Sequence, residues 1–416
     1  ANTSITADTD DQIDIKIAGA DDFQFTANTF TALSGSTVAI ASGATIANSG
    51  TATGFSVPHS VIINGGMDVW QKGTAAVTLS SYDGPDRFSA VAGMTGSGAA
   101  TIERSTDVPA DQGLTYSAKI ITTGVNSLTS TSRFGWDQRI ETQNCQELID
   151  QISKSGGDSV TASFWMKFDK HASSSISFPA TFSCNLRDKN TTWNTFCREF
   201  TITADATWQK ISLTYPAAAL TWTTGGVNGI GMILQVMLAV GSGKTCAVDS
   251  WVSFANDAGG STNTVNAFDY VGNIVYLTGF RLERGTTASD WQQENYGTTI
   301  LKCLRYLNRI TWHTGNEDQL IGTFQSTSSM RMPYEYPVRM RAVPTFSSST
   351  ATDFKHSFGT TACTALSGAA GTVDYSGTVA GRIVTSASGT PFTIGYSAYL
   401  YVNTSGAYWQ WSAELG

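Results

Sequence analysis

The sequence predicts an all-β chain, and three observations carry that prediction. Its 416 residues include 40 Gly and 11% aromatic residues but only 14% charged ones. That mix suits short strands joined by frequent turns, with β-branched and aromatic side chains on pleated surfaces. Strand-length apolar runs recur between turn signals from Ser60 to about Trp291, as in an antiparallel sandwich. Helical spacing is confined to two short stretches.

The elements follow in order. Residues 1–58 form a distinct first region. IDIKIAGADDFQFTANTF alternates, with Ile13, Ile15 and Ile17 on one face and Asp14 and Lys16 on the other, which is strand periodicity. FTALSGSTVAIASGATIANSGTATGF then repeats Ser-Gly at 34–35, 42–43 and 49–50. Its Thr/Ala/Val/Ile runs are too short and too small to bury a core within one chain, because backbone ordering outweighs the burial gained. The reading is a trimeric β stem that turns Val38, Ile40 and Ile46 toward a shared axis; a flexible Gly/Ser/Thr linker is the alternative. Residues 59–298 carry the long strand candidates SVIINGG, DSVTASFWMKF, SISFPATFSCNL, FCREFTITA, WQKISLTY, IGMILQVMLAV and GNIVYLTGFRLERG. One helix interrupts them in NCQELIDQISKSGGD, with Leu148, Ile149 and Ile152 inward and Gly156 as a cap. Residues 299–416 open with a short helix in TTILKCLRYLNR, where Leu301, Leu304, Tyr306 and Leu307 turn inward and Lys302, Arg305 and Arg309 outward. A smaller, separate β-sandwich follows, ending in YWQWSAELG.

Composition also bounds function. A net charge of −8 lacks the cationic surface that phosphate backbones need, so nucleic acid is not the partner. No run approaches the ~20 apolar residues needed to cross a bilayer, and the acidic start ANTSITADTDDQIDIK is not a secretory signal. Beginning at Ala1, the chain is either processed or part of a longer one. Cys145, Cys184, Cys197, Cys246, Cys303 and Cys363 form no C-x-x-C pair. Buried free thiols, fitting assembly in reducing cytoplasm, are the reading; a Cys184–Cys197 bridge stays open.

The motifs that resemble chemistry have bland counterparts. GSGKT at 241–245 lacks the first glycine of a phosphate-binding loop, with Leu238 in its place, and both flanks are strand-like, so a hairpin turn is expected. His59, His171, His313 and His356 are scattered and read as solvated surface residues, and no G-x-S-x-G elbow is present. Asp83 with Asp86, or Glu141 with Glu147, are the carboxylate pairs a glycosidase reading would use; a salt bridge or turn hydrogen bond beside Arg87 is the simpler reading of Asp86. Asp68, Asp86 and Asp290 are the residues weighed for a structural calcium ion, with no cofactor as the main expectation.

Sugar recognition uses exposed aromatic platforms flanked by polar groups. Trp70, Trp165, Trp208, Trp291, Trp409 and Trp411 read as structural. Trp193 in KNTTWNTF, Trp222 in ALTWTTGG and Trp312 in RITWHTGNED have loop-like Thr, Asn and Gly neighbours and are the carbohydrate-binding candidates, with packing under a loop as the alternative.

The order INGGMDVWQKGT, YDGPDRFSA, QRIETQ, VTASFWMKF, ATWQKISLTY, LTGFRLERGTTASDW resembles the carbohydrate-binding-module-like jelly roll of many bacteriophage tail fibres and other virion appendages. ENYGTTILKCLRYLNR looks like the junction helix that follows that module, and YPVRMRAVPTF with YWQWSAEL resembles the small terminal β domain. The resemblance covers roughly residues 60–416 and departs from the common pattern before them. It implies a structural virion protein, often a homotrimer, attached to other virion proteins through its N-terminal segment, displaying β modules toward host-surface glycan, and assembled in the host cytoplasm. No enzyme constellation is expected. A purely structural fibre or connector without ligand, and a polysaccharide depolymerase, are the alternatives.

Overall fold

The computed structural model describes residues 4–7, 13–17, 20–26, 29–33, 59–93, 100–125, 127–189, 193–254, 259–313, 317–358, 361–365, 371–386, 392–402 and 404–415. Contacts divide the chain into two units, Ala1–Ser56 and Val57–Gly416.

The first unit is a four-stranded antiparallel meander of Ser4–Ala7, Ile13–Ile17, Ala20–Thr26 and Thr29–Ala32. Its register aligns Ile5, Ile15, Phe23 and Ala32 in one row, and Ile13, Phe25 and Phe30 in the next. Residues paired directly across strands share a face, so one side of this sheet is apolar throughout. The Phe30 ring stacks on Phe23 at 5.8 Å and on Phe25 at 4.7 Å. Among the described residues nothing covers this face: Ile5 is 74% exposed, Ile13 43%, Phe25 41% and Phe30 51%. The sequence reading made the leader dependent on sister copies, whereas its four described strands pair into a sheet within one chain; among the described residues no second layer covers that sheet. Val38, Ile40 and Ile46 lie outside the described residues.

The second unit begins with a sandwich of two six-stranded antiparallel sheets. One orders Gln209–Tyr215, Val160–Asp169, Ile274–Arg284, Ser117–Thr122, Ala100–Ser105 and Val77–Thr78. The other orders Trp251–Phe254, Trp193–Ile202, Ala180–Arg187, Ile230–Val240, Arg133–Glu141 and Phe88–Gly93. Apart from Ala100–Ser105 with Ser117–Thr122 and Ala180–Arg187 with Trp193–Ile202, the strands that pair within a sheet are not sequential neighbours, as expected of a jelly-roll-type sandwich. Alternate residues such as Phe164, Met166, Phe168 and Leu277 meet Trp136, Phe182, Leu186 and Leu234 in one core.

Every residue of Ile230–Val240 is buried, which explains its unbroken apolar run. Met232, Leu234, Val236 and Leu238 enter the core, while outward Ile233 packs with Cys303, Tyr306 and Leu415. Helix α1 (Thr142–Ile152) buries Leu148, Ile149 and Ile152 as its spacing predicts, and Gly156 takes φ +69° just beyond it. GSGKT follows a strand and opens no long helix: Ser242–Lys244 is a single 3₁₀ turn. It is not a hairpin either, because Trp251–Phe254 pairs with Trp193–Ile202 at the sheet edge.

Helix α2 (Tyr296–Leu304) is capped by the Asn295 side chain, which accepts from Gly297 N. It buries Thr299 and Cys303, and Leu301 is 52% exposed. The predicted inward face is therefore rotated, because Tyr306 and Leu307 fall beyond the helix and set no helical phase. The distal part stacks a three-stranded sheet (Leu307–Thr311, Tyr408–Ser412, Thr345–Ser348) with a seven-stranded one around Trp409, Trp411, Met330, Met332 and Leu400.

Charged side chains lock the two sandwiches together. Glu141, fully buried, accepts from Arg305 Nε at 3.0 Å and Nη2 at 2.6 Å, and from the Tyr306 hydroxyl at 2.6 Å. Arg87 pairs with Glu414, donates to Arg139 O at 2.7 Å and stacks 3.6 Å over the Tyr306 ring. Burying a charge is tolerable only with such partners.

Candidate functional site

A polar cleft opens where these pieces meet. The loop Asn64–Asp68 forms one wall. Asn64, buried at φ +61°, donates to Val69 O and Asp86 O and accepts from Asp68 N and Val69 N, all at 2.9–3.0 Å. Asn is among the few side-chain-bearing residues that tolerate this conformation. Gly65 lies so close to the Ile274–Arg284 strand that a Cβ would stand 2.2 Å from Phe280 O, so only glycine fits.

The second wall follows that strand. Glu283 is buried and accepts from Ser289 N at 2.6 Å, Ser289 Oγ at 2.7 Å and Arg281 Nη2 at 2.9 Å. This folds the ERGTTAS turn back and delivers Trp291 to the cleft. The half-buried indole lies against Gly66, where a Cβ would approach Trp291 Cζ2 to 2.9 Å. Trp291 Nε1 donates to Gln293 Oε1 at 3.2 Å, and Gln293 Nε2 donates to Asp68 Oδ2 at 2.8 Å. Burial pushes the Asp68 carboxyl above its ordinary value, with Gln293 and Arg104 pulling it back. α2 closes the third side, where Lys302 pairs with Glu294 and Thr299 donates to it at 2.9 Å. The cavity measures about 280 Å³. A second, of about 350 Å³ and lined by Asn144, Arg305 and Tyr306, shares His59, Ser60, Ile62 and Lys302 with it. An aromatic edge, amides and hydroxyls around a sugar-sized hollow can take ring C–H groups and hydroxyls together.

The predicted tryptophans are not gathered here. Trp312 is 3% exposed, edge-on to Phe354 and Trp409, and is a core residue rather than a platform. Trp222 is half-buried, donates to Gly231 O at 2.8 Å and packs edge-on against Trp251. Trp193 opens an edge-proximal strand, and its side chain is outside the described set. Sequence reasoning assigned Trp291 to the core. The available signal was the run DWQQEN, a tryptophan beside two amides between a strand and a helix cap.

Other expectations are resolved residue by residue. His59, His171 and His313 are exposed, but His356 is 1% exposed, bonded to Thr385 Oγ1 at 2.6 Å, and burial lowers its pKa to about 4. It is a core histidine, enclosed by Phe324 and Phe392. Asp86 is tied to Gln71, not Arg87, and burial raises it to about 7. Asp83 binds Lys72 and Ser80; Glu147 sits 72% exposed against Arg284 while Glu141 is fully buried in the joint. None of Asp83, Asp86, Glu141 and Glu147 lines the Trp291 cavity. Asp290 faces solvent beside Lys210, and among the described residues no cluster of three His, Cys, Asp or Glu is arranged for a metal. Cys184 and Cys197 are free thiols on opposite faces of their sheet: Cys184 enters the core, and its register partner is Arg198.

No protein-family model matches the chain, and no curated protein matches it. Among solved structures it is similar to the enzymatically active domain of tailspike protein 4 of bacteriophage CBA120, at 13% identity and TM-score 0.28, covering 54% of this chain and 21% of that one. The chain thus spans about a fifth of that tailspike domain. It is also similar to a family 4 carbohydrate-binding module, at 14% identity and TM-score 0.26, over 53% of this chain and 97% of that one. A third is the C-terminal family 22 carbohydrate-binding module of a Clostridium thermocellum xylanase, at 12% identity and TM-score 0.26, over 52% and 98%.

Proposed function

We propose that this chain is a structural protein of a bacteriophage virion, a homotrimeric tail fibre or appendage that displays two joined β-sandwiches to host-surface glycan and catalyses no reaction. The Trp291 cleft carries this reading: a half-buried indole beside Gln293, Asp68 and Thr299 around about 280 Å³. The virion assignment rests on the order of motifs from INGGMD to YWQWSAEL. Trimerisation is favoured by the uncovered face of Ile5, Ile13, Phe25 and Phe30, since a contiguous apolar sheet face is stabilised by burial against a like face. Three tethered copies also raise the effective concentration for the second and third contacts, which makes weak sugar binding useful. Other virion proteins would engage the N-terminal segment in a particle assembled in the host cytoplasm, and the chain itself would bind neither a cofactor nor nucleic acid.

The purified full chain on a glycan array and on host cells tests this. Binding that Trp291→Ala reduces about tenfold while the melting curve holds supports an adhesin. Absence of binding leaves a ligand-free fibre or connector. Release of oligosaccharide from host capsule or lipopolysaccharide would establish a depolymerase instead.

A further inference from the structure

We infer that the Trp291 cleft and its neighbouring cavity take a neutral oligosaccharide, one without carboxylate or phosphate groups. The inference rests on the glycan-attachment reading and narrows its ligand. Each strongly charged side chain that lines either hollow already has a partner. Arg281 is held by Glu283 at 2.9 Å with both groups buried, Lys302 by Glu294, and Arg305 by the buried Glu141. Asp68 accepts from Gln293 at 2.8 Å. His59 stands exposed at the rim.

These pairs hold the architecture. Arg305 and Glu141 lock the two sandwiches, and Arg281 and Glu283 shape the turn that presents Trp291. Releasing one cation to a ligand would leave a carboxylate uncompensated, and for Glu141 and Glu283 that carboxylate is fully buried, which is strongly unfavourable. An anionic ligand would also approach Asp68 and Glu294, whose charge repels it. What remains for recognition is uncharged: the Trp291 ring, the exposed Gln292 amide, the second N–H and remaining lone pair of Gln293 beyond its bonds to Asp68 and Trp291, the Ser60 hydroxyl, and the apolar floor of Ile62. Ring C–H faces and hydroxyls match that set, since a pyranose offers one apolar face and a rim of donors and acceptors. The two cavities share Ser60, Ile62 and Lys302 along their common border, so the ligand is longer than one ring.

Calorimetric titration of the full chain with neutral trisaccharides of glucose, galactose and mannose, alongside trigalacturonate and glucose 6-phosphate, tests this. A neutral trisaccharide should bind at least about tenfold more tightly than either anionic probe. Its affinity should change less than about twofold between low and high salt, because screening acts on charge. Trp291→Ala should weaken it about tenfold and Trp291→Phe much less; Gln292→Ala, at an exposed position, gives a second, fold-neutral variant that should also weaken it. Tighter binding of trigalacturonate or of glucose 6-phosphate, lost in Trp291→Ala, would overturn neutrality while leaving glycan attachment standing, and the two probes separate carboxylate from phosphate recognition. No binding by any saccharide, the host's own surface glycans included, would overturn both.

Discussion

Two sheets of this chain each present rows of apolar side chains and end in different states. In the central sandwich, Ile230–Val240 buries both faces, one in the core and the other under Tyr306, Leu415 and the segment near Gly260. In the N-terminal meander the row of Ile13, Phe25 and Phe30 is equally apolar, yet each stays more than two-fifths exposed. The difference lies in what the chain supplies as a second layer. The sandwich brings its partner sheet and a distal domain; among the described residues of its unit, the meander brings no second layer. A sheet with one apolar face is unfinished until something covers it.

The comparison breaks hardest at the joint that finishes the central sheet. Arg87→Ala should cost about 3–5 kcal/mol in denaturant unfolding, because Glu414 is left buried without its cation. Replacing both by methionine should restore most of the loss. A loss under about 1 kcal/mol for the single change would mean that the joint is solvated and the sheet only loosely covered.

A second, smaller effect comes from the distal core. His356 titrates near 4 when folded and near 6.5 when unfolded, so the unfolded chain binds more protons between those values. Its stability contribution is present above pH 6.5 and is lost as pH falls toward 4, roughly 3 kcal/mol in all. Asp86 has the opposite slope: raised to about 7 from 3.8, it favours the folded chain at low pH and loses that contribution as pH rises through the same range. The parent alone therefore mixes two slopes, and the difference between parent and His356→Phe isolates the histidine. A ring signal that titrates near 6.5 in the folded chain, assigned to His356 by its loss in His356→Phe, would contradict its burial.

Much of this was legible in the sequence, and the exceptions have physical causes. The run ILQVMLAV was legible as a strand, though not as one covered on both sides, and Leu148, Ile149 and Ile152 gave the buried stripe of α1. The motifs WQKGT, PDRF, QRIETQ and CLRYLNR were recognisable by their order, but not what they do. Glu141 meets Arg305 across 164 positions and Arg87 meets Glu414 across 327, and no local pattern encodes a contact at such separation. Trp312 and His356 were misread for one reason: their polar neighbours, Thr311 and His313 beside the first and Lys355 and Ser357 beside the second, suggest the surface, while their own side chains point inward. Trp291 was hidden in the opposite way, because its neighbours resemble a core motif although the turn built on Glu283 delivers it to a cleft.

The smallest expected change in chain stability comes from the meander. Phe25→Asp with Phe30→Asp alters exposed positions, so unfolding of the two sandwiches should shift by no more than about 0.5 kcal/mol. The most direct test of the account is the solution mass of the full chain and of this double variant by sedimentation equilibrium. The account predicts a three-chain mass for the parent and a one-chain mass for the variant. A parent that sediments as a single chain, or a variant that keeps the three-chain mass, would contradict it.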